Sequence, residues 1–98
     1  MQITRVFKVE VRSELVDDFE EKFAAISVDI TQSAPGNLSV DVLRPTKWTP
    51  YEYAMLSTWK DEASLQAFAG DNWNRAVIPD GMEKYVASCS VSHYKSWS

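Results

Sequence analysis

The chain has 98 residues, the size of one domain, and we expect residues 1–98 to form a single domain. Hydrophobic residues make up 45% of it, charged residues 24%, and the formal net charge is −4. This is the composition of an ordinary globular protein, without the basic face that nucleic-acid binding needs.

One cysteine and one histidine allow no internal disulfide and make a metal site unexpected. No apolar run is long enough to span a membrane, and no apolar leader opens the sequence. We therefore predict a cytoplasmic protein with neither nucleic-acid nor membrane partners.

The spacing of apolar residues changes from every second residue to every third or fourth, which predicts a first strand followed by a first helix. "ITRVFKVEV", residues 3–11, alternates in the manner of a strand, and Arg5 stands on its more apolar face. Ser13 is a candidate N-cap for a helix that ends near Gln32. The apolar stripe of that helix consists of Leu15, Phe19, Phe23, Ile26 and Ile30.

Two further strands follow a break at Pro35 and Gly36. "NLSVDVLRP" alternates up to Pro45, and Trp48 falls in a loop where we expect it to be exposed. "YEYAMLSTW", residues 51–59, is the third strand. One face of this strand carries Tyr51, Tyr53, Met55, Ser57 and Trp59.

The last part of the chain predicts a second helix and a fourth strand. Asp61 should cap the helix "EASLQAF" and Gly70 should end it. "DNWNRAVI" could add a helical turn or two, and "MEKYV" a short helical piece. The break at Pro79–Asp80–Gly81 predicts a rim or lid over a pocket, and "ASCSVSHYKSW" alternates as the fourth strand.

The element order β-α-β-β-α-β is that of the ferredoxin-like α+β fold, with a four-stranded antiparallel sheet. Right-handed crossovers place both helices on one face of that sheet. We expect Tyr53, Met55 and Trp59 to lie on the other, open face, where a second copy of the chain would cover them. The sequence therefore predicts a homodimer, and a cavity between sheet and helices is also compatible with the order.

The segment "YEYAMLSTWKDEASLQAF" resembles the antibiotic biosynthesis monooxygenase-like family of the dimeric α+β barrel superfamily. The resemblance rests on a tyrosine-bearing strand, then Trp59, the acidic pair Asp61 and Glu62, and the helix that follows. It implies the fold, a dimer and a pocket. The family includes cofactor-independent monooxygenases of polycyclic phenols and quinols, haem-degrading enzymes and small isomerases.

The chain departs from this family pattern in one respect. Histidines that many relatives carry on the second helix fall here on Phe68 and Trp73. Asn72 and Trp73 are adjacent, but no helix histidine completes the Asn–Trp–His set of the haem degraders. The departure counts against haem degradation.

Four residues are candidates for catalysis: His93, Asn72, Trp73 and Arg75. His93 is the only side chain with an ordinary pKa near neutrality and is the candidate base, although a lone histidine is more often structural. A tyrosine (Tyr53, Tyr85 or Tyr94) is the weaker alternative. Trp73 lies among polar residues and could stack on a planar substrate. Asn72 could hydrogen-bond a substrate oxygen, and Arg75 could stabilise an oxyanion.

Five residues are candidates for substrate binding: Trp59, Tyr53, Arg5, Phe68 and Met55. Trp59 is either a pocket wall or a core residue that locks the strand to the helix. Arg5 is either an oxyanion partner or one half of an ion pair, with Glu52 or across the dimer.

These features favour a cofactor-independent monooxygenase that oxidises a small phenol or quinol with dioxygen and uses no metal or other cofactor. The alternative is a dimer that binds a planar or apolar ligand without chemistry, or a small-molecule isomerase on the same fold.

Overall fold

The structure is a computed structural model that describes residues 1–79 and 81–97. Its strands are β1 (Ile3–Val11), β2 (Asn37–Leu43), β3 (Glu52–Trp59) and β4 (Val86–Lys95). They form one antiparallel sheet in the order β2-β3-β1-β4. The predicted ferredoxin-like α+β fold is confirmed.

Four consecutive pieces build the first helical segment. A 3₁₀ turn (Ser13–Leu15) leads into α1 (Val16–Lys22), a π-helical stretch (Phe23–Val28) and α2 (Asp29–Gln32). The segment ends at the residue where the sequence predicted its end. Its middle, however, is not the regular α-helix that the apolar stripe implied.

The π-helical stretch changes which side chains face the sheet. Its wider i→i+5 turn brings residues four apart into line, so Phe19, Phe23, Ser27 and Thr31 are all buried. The Thr31 hydroxyl donates to the Ser27 carbonyl at 2.8 Å, which satisfies one buried hydroxyl. The predicted position of Ile30 on the buried stripe is wrong, because its side chain is 41% exposed.

The second helix is α3 (Glu62–Ala69), and its ends follow the sequence prediction. The Asp61 carboxylate accepts a hydrogen bond from the Ser64 amide at 2.8 Å, and Gly70 ends the helix with φ 89°. The helical turn predicted at "DNWNRAVI" is wrong, because residues 71–79 contain turns and irregular backbone.

A short 3₁₀ helix at Glu83–Tyr85 confirms the helical piece predicted in "MEKYV". Asp80, part of the predicted break, lies outside the described residues. None of the helices in residues 1–79 and 81–97 is long and apolar enough to cross a membrane. A cytoplasmic location stays a prediction.

Both helical segments pack on the same face of the sheet, which is the face that carries Tyr53, Met55 and Trp59. All three side chains are buried, and Trp59 has no exposed surface. Tyr53 and Met55 pack in one cluster with Phe19, and Trp59 packs in a second with Leu65. The prediction that these residues lie on an open face is wrong, because the helices cover the face of β3 that carries them.

The opposite face of the sheet carries no helix among the described residues. Val6 stands across from Leu56 near its centre, and both are half-buried. Leu43 is 50% exposed and Tyr94 58% exposed towards its edges. The uncovered face is therefore partly apolar, although its residues are not the predicted ones.

Candidate active site

A cavity of about 30 Å³ lies between the sheet and the helices. Most of its wall is apolar and consists of Phe7, Val9, Phe19, Phe23, Ile30, Met55, Phe68, Val77, Ile78, Pro79, Met82 and Val86. Four polar residues complete the lining: Arg5, Ser27, Thr31 and Ser57. An apolar pocket with a few polar groups is the usual composition of a small-molecule site.

Among the described residues that line the cavity, Arg5 is the one that carries a charge, and its side chain is only 4% exposed. Its Nη1 donates to the Trp73 carbonyl at 2.5 Å, and its Nη2 donates to the Arg75 carbonyl at 2.8 Å. Nη1 also lies 3.0 Å from Nε2 of His93. Arg5 therefore ties β1 to β4 and to the turn that follows α3.

The positive charge of Arg5 is not neutralised by any carboxylate in the described part of the chain. The one ion pair found there joins Arg44 to Glu20. The ion pair considered for Arg5 and Glu52 is not formed, because Glu52 stands across from Glu10 at the far end of β1. Burial lowers the pKa of Arg5, which is the direction expected of a desolvated cation.

Some of the N–H donors of Arg5 are not used in the structure. A guanidinium has five N–H donors, and three are used on the Trp73 carbonyl, the Arg75 carbonyl and His93. Nε–H and one Nη2–H have no acceptor among residues 1–79 and 81–97. No side-chain nitrogen or oxygen in the described part of the chain is fully buried without a partner, so Nε of Arg5 is accessible to solvent and could bind an anionic oxygen.

The contact with Arg5 fixes the tautomer of His93. Since a guanidinium has no acceptor, Nε2 of His93 must accept the bond, and the ring proton of the neutral form sits on Nδ1. Burial, and then the charge of Arg5, lower the pKa of His93. The ring of Trp73 meets the His93 ring edge-on, with centroids 4.6 Å apart.

This lowered pKa predicts a pH dependence of stability. The unfolded chain takes up the histidine proton near pH 6.5, above the folded pKa, so the free energy of unfolding should fall as the pH drops below about 6.5 and level off below the folded pKa. Urea unfolding from pH 7.5 to 5 measures it. His93→Gln keeps an acceptor for Arg5, and we expect it to flatten this part of the profile. An unchanged slope in that variant would assign the dependence to other groups.

None of the four candidate catalytic residues is among the described residues that line the cavity, and Arg75 contacts Arg5 only through its main chain. The side chains of Asn72 and Arg75 are exposed, while the Arg75 carbonyl binds Arg5 and the Asn72 carbonyl accepts from the Arg75 amide at 2.9 Å. Trp73 is half-buried against His93. The structure therefore brings His93, Trp73 and Arg5 together, and leaves the side chains of Asn72 and Arg75 at the surface.

Three of the five candidate binding residues line the cavity: Arg5, Phe68 and Met55. Trp59 stands behind this wall, with its ring 5.0 Å from the Phe68 ring and its Nε1 donating to Ser57 Oγ at 3.0 Å. Its complete burial favours the interpretation as a core residue.

Tyr53 faces a second cavity of about 200 Å³, next to β2. Its hydroxyl donates to Glu20 Oε2 at 2.6 Å, and Arg44 lies 3.4 Å from Glu20 Oε1. This cavity is the larger, but its polar groups satisfy one another. The smaller cavity contains the unneutralised charge and the unused donors, so we place the candidate site there.

Neither buried tyrosine is suited to act as a base. Burial and the bond to Glu20 raise the pKa of Tyr53. Tyr85 donates to Asp18, and that bond raises the pKa of Tyr85 to about 12. Both hydroxyls stay protonated at neutral pH.

Sequence reasoning missed three polar lining residues: Ser27, Thr31 and Ser57. Ser57 could have been noticed as a small hydroxyl on a strand face otherwise made of large side chains. Ser27 and Thr31 carried no such signal, since the π-helical stretch places them.

The model of the antibiotic biosynthesis monooxygenase family matches residues 2–76. With the fold and the cavity described above, this shows that the chain belongs to that family. A comparison with curated proteins found no match.

Solved structures show the same fold at low sequence identity. A haem-degrading protein of Mycobacterium tuberculosis is 21% identical, with a TM-score of 0.69 over 100% of this chain and 96% of that one. A variant of SnoaB, a cofactor-independent oxygenase of Streptomyces nogalater, is 14% identical, with a TM-score of 0.74 over 99% and 94%. A conserved protein of Methanosarcina mazei Go1 is 20% identical, with a TM-score of 0.72 over 97% and 92%.

Proposed function

We propose that the protein is a cofactor-independent monooxygenase that oxidises a small aromatic phenol or quinol with dioxygen. One observation carries the proposal: a buried guanidinium, which among the described residues has no carboxylate partner and leaves two N–H donors unused, lines a mostly apolar cavity. A phenolate supplies the missing negative charge and a planar body that suits such walls. The structural likeness to a cofactor-independent oxygenase supports the reaction class.

The reaction needs no electron source besides the substrate. A bound phenolate forms a C–O bond with dioxygen at a ring carbon that is ortho or para to its own oxygen and carries a hydrogen. That carbon loses its hydrogen as a proton, and the O–O bond breaks. The products are a quinone and water, and four electrons pass from the phenol to dioxygen.

Arg5 would hold the phenolate oxygen and so favour loss of the phenol proton. When Arg5 moves towards a substrate bound at its Nε–H and Nη2–H, Nη1 leaves His93, and the lone pair on His93 Nε2 becomes free to accept that proton. Trp73, packed against the ring of His93, would keep it in place. Burial beneath apolar walls would exclude water from the phenolate.

The remaining candidates have supporting roles in this proposal. Phe68 and Met55 form the apolar wall, with Trp59 packed behind it. Tyr53 closes the neighbouring cavity. Asn72 and Arg75 project their side chains from the turn that Arg5 holds, and they would reach the substrate only after that turn moves.

Movement is required in any case, because about 30 Å³ is far below the ~300–1,000 Å³ typical of ligand pockets. Residues 71–79 are irregular, and they hold to the sheet partly through the two carbonyl bonds to Arg5. A substrate that moves Arg5 towards the cavity would lengthen those bonds. We propose that this segment is the rim that opens.

The donor set does not suit haem. His93 is the only histidine of the chain, and its Nε2 lone pair already accepts from Arg5. An iron ligand at that nitrogen would lie next to a buried guanidinium. We therefore derive no step through haem.

Ligand binding without chemistry is the second candidate function. It is favoured by the same contact, because a histidine that accepts from Arg5 offers no free base until Arg5 moves. An isomerase would need that free base as well.

Dioxygen uptake with a panel of anthrols, naphthols and hydroquinones tests the reaction, each compound being compared with its own autoxidation. We expect uptake above background and a loss of about tenfold or more in Trp73→Phe, since a smaller ring holds His93 less firmly. Trp48→Phe, at a tryptophan that is 82% exposed, is the matched control and should keep the full rate. No uptake with any compound would favour ligand binding without chemistry.

We also propose a homodimer formed through the uncovered face of the sheet. Val6 and Leu56 at its centre, and Leu43 and Tyr94 towards its edges, are apolar side chains that a second copy would bury. Light scattering should give about twice the chain mass of 11.1 kDa. If the parent protein gives a mass near that of one chain, the dimer is contradicted. The variant Leu56→Glu should give the mass of one chain, because it places a charge at the centre of the proposed interface.

A further inference from the structure

Ser57 has a hydroxyl proton without a partner inside the cavity. The residue is 2% exposed and lines the cavity directly across the strand pair from Arg5. Trp59 Nε1 donates to Ser57 Oγ at 3.0 Å. Since an indole N–H is only a donor, the serine oxygen is the acceptor in that bond. Its own proton has no acceptor among residues 1–79 and 81–97.

Ser57 and Arg5 therefore offer donors side by side. Residues directly opposite each other on paired strands have Cβ atoms about 4.5–5.5 Å apart. The hydroxyl of Ser57 and the two unused N–H groups of Arg5 belong to residues that line one cavity, and they lack an acceptor in the part of the chain that the structure describes. What would satisfy all three is a single anionic oxygen, because such an oxygen accepts several hydrogen bonds.

We propose that Ser57 and Arg5 form a two-residue site for the phenolate oxygen of the ligand, with Trp59 as the positioning residue. This inference rests on the proposed function, whose substrate is a phenol. The bond from Trp59 occupies a lone pair of Ser57, so the hydroxyl proton is left for the ligand. Donation to the serine oxygen also polarises its O–H and strengthens the bond that it makes.

The acidity of a bound phenol measures this site directly. We would titrate 2-naphthol by absorbance, free and bound to the full chain, without any need for turnover. Arg5 and Ser57 should lower the pKa of the bound naphthol below that of the free compound. In Ser57→Ala, the ratio of phenolate to phenol affinity should fall about tenfold, which is one pKa unit.

A serine outside the cavity provides the matched control. Ser33 is exposed at the end of α2 and is not among the described residues that line the cavity. Ser33→Ala removes the same group away from the site and should leave the pKa of bound naphthol unchanged. An equal effect of both substitutions would overturn the role of Ser57.

Trp59→Phe tests the positioning role, since it keeps a buried ring and removes the indole N–H. It should raise the pKa of bound naphthol, and it should have no further effect in a Ser57→Ala background. A purely structural Trp59 would lower the melting temperature in both backgrounds and leave the pKa of the ligand unmoved, which would overturn the positioning role.

The two proposals fail in different ways. If the naphthol pKa is lowered and depends on Ser57, but no phenol gives dioxygen uptake, the monooxygenase reaction is contradicted and the phenolate site is supported. Uptake with a naphthol pKa that Ser57→Ala leaves unchanged would remove the site alone. Failure of 2-naphthol to bind, or binding with an unlowered pKa, would overturn the site.

Discussion

Arg5→Met should reduce dioxygen uptake with the best phenol on the order of 10²–10³-fold, the usual effect of removing one oxyanion donor. Arg5 is the one charged residue in the described part of the cavity wall, so methionine would leave a phenolate there without a countercharge. The main effect should fall on substrate ionisation, and raising the pH should restore part of the rate as the phenol ionises in solution. Steady-state uptake from pH 6 to 10 measures both effects.

The fold should survive this substitution. Methionine fills a similar volume without the desolvation penalty of a buried charge, which offsets the lost bonds to the carbonyls of Trp73 and Arg75. We expect the turn that carries those carbonyls to become more mobile, with faster hydrogen exchange in residues 71–79.

Arg44→Met is the matched control for Arg5→Met. Arg44 is an arginine whose side chain is 79% exposed, and its ion pair with Glu20 is a surface contact worth about 0–1 kcal/mol. It should change neither uptake nor its pH dependence. Equal activity of the two variants would show that Arg5 is not the phenolate partner.

The fold was predictable because its signals are local. Alternation marks β1 and β3, and the breaks at Pro35 and Gly36 and at Gly70 separate the elements. Which face of the sheet the helices cover was not predictable from the sequence. Tyr53, Met55 and Trp59 were correctly grouped on one face and assigned to the wrong side, because alternation groups residues without saying which group the helices cover.

The candidate site was predictable only in part, since its contacts depend on the main chain and on tertiary packing. The sequence shows that Arg5 stands on the more apolar face of β1. It cannot show that Arg5 binds two main-chain carbonyl groups, because every residue has one. His93 was noticed as the only histidine. Its contact with Arg5 required the β1–β4 register, in which the two residues stand opposite each other.

The polar part of the cavity wall shows the same limit. A π-helical turn, which the apolar stripe of the first helix did not indicate, brings Ser27 and Thr31 inwards. Ser57 was assigned to the correct face of its strand, but its importance depends on the bond from Trp59. Residue type and spacing could not predict which hydroxyl keeps a free proton.

Trp59→Ala should have the largest effect on stability, with a loss of about 3–5 kcal/mol in the free energy of unfolding, as expected for a large aromatic residue removed from a core. The side chain has no exposed surface and joins Ile3 of β1 to Leu65 of α3. Its loss would leave a cavity between sheet and helix and remove the donor that Ser57 accepts from. Since domains are stable by only about 5–15 kcal/mol, the variant should be close to unfolding at 37 °C.

Trp48→Ala is the control for this loss, because Trp48 is 82% exposed in the loop between β2 and β3 and should change stability by less than about 0.5 kcal/mol. Urea unfolding followed by circular dichroism compares the two variants without relying on tryptophan fluorescence. A lower midpoint with an unchanged slope would assign the loss to the folded core. Similar midpoints for Trp59→Ala and the parent chain would mean that sheet and helix hold together without this ring. The role of Trp59 would then be to position Ser57 and not to stabilise the fold.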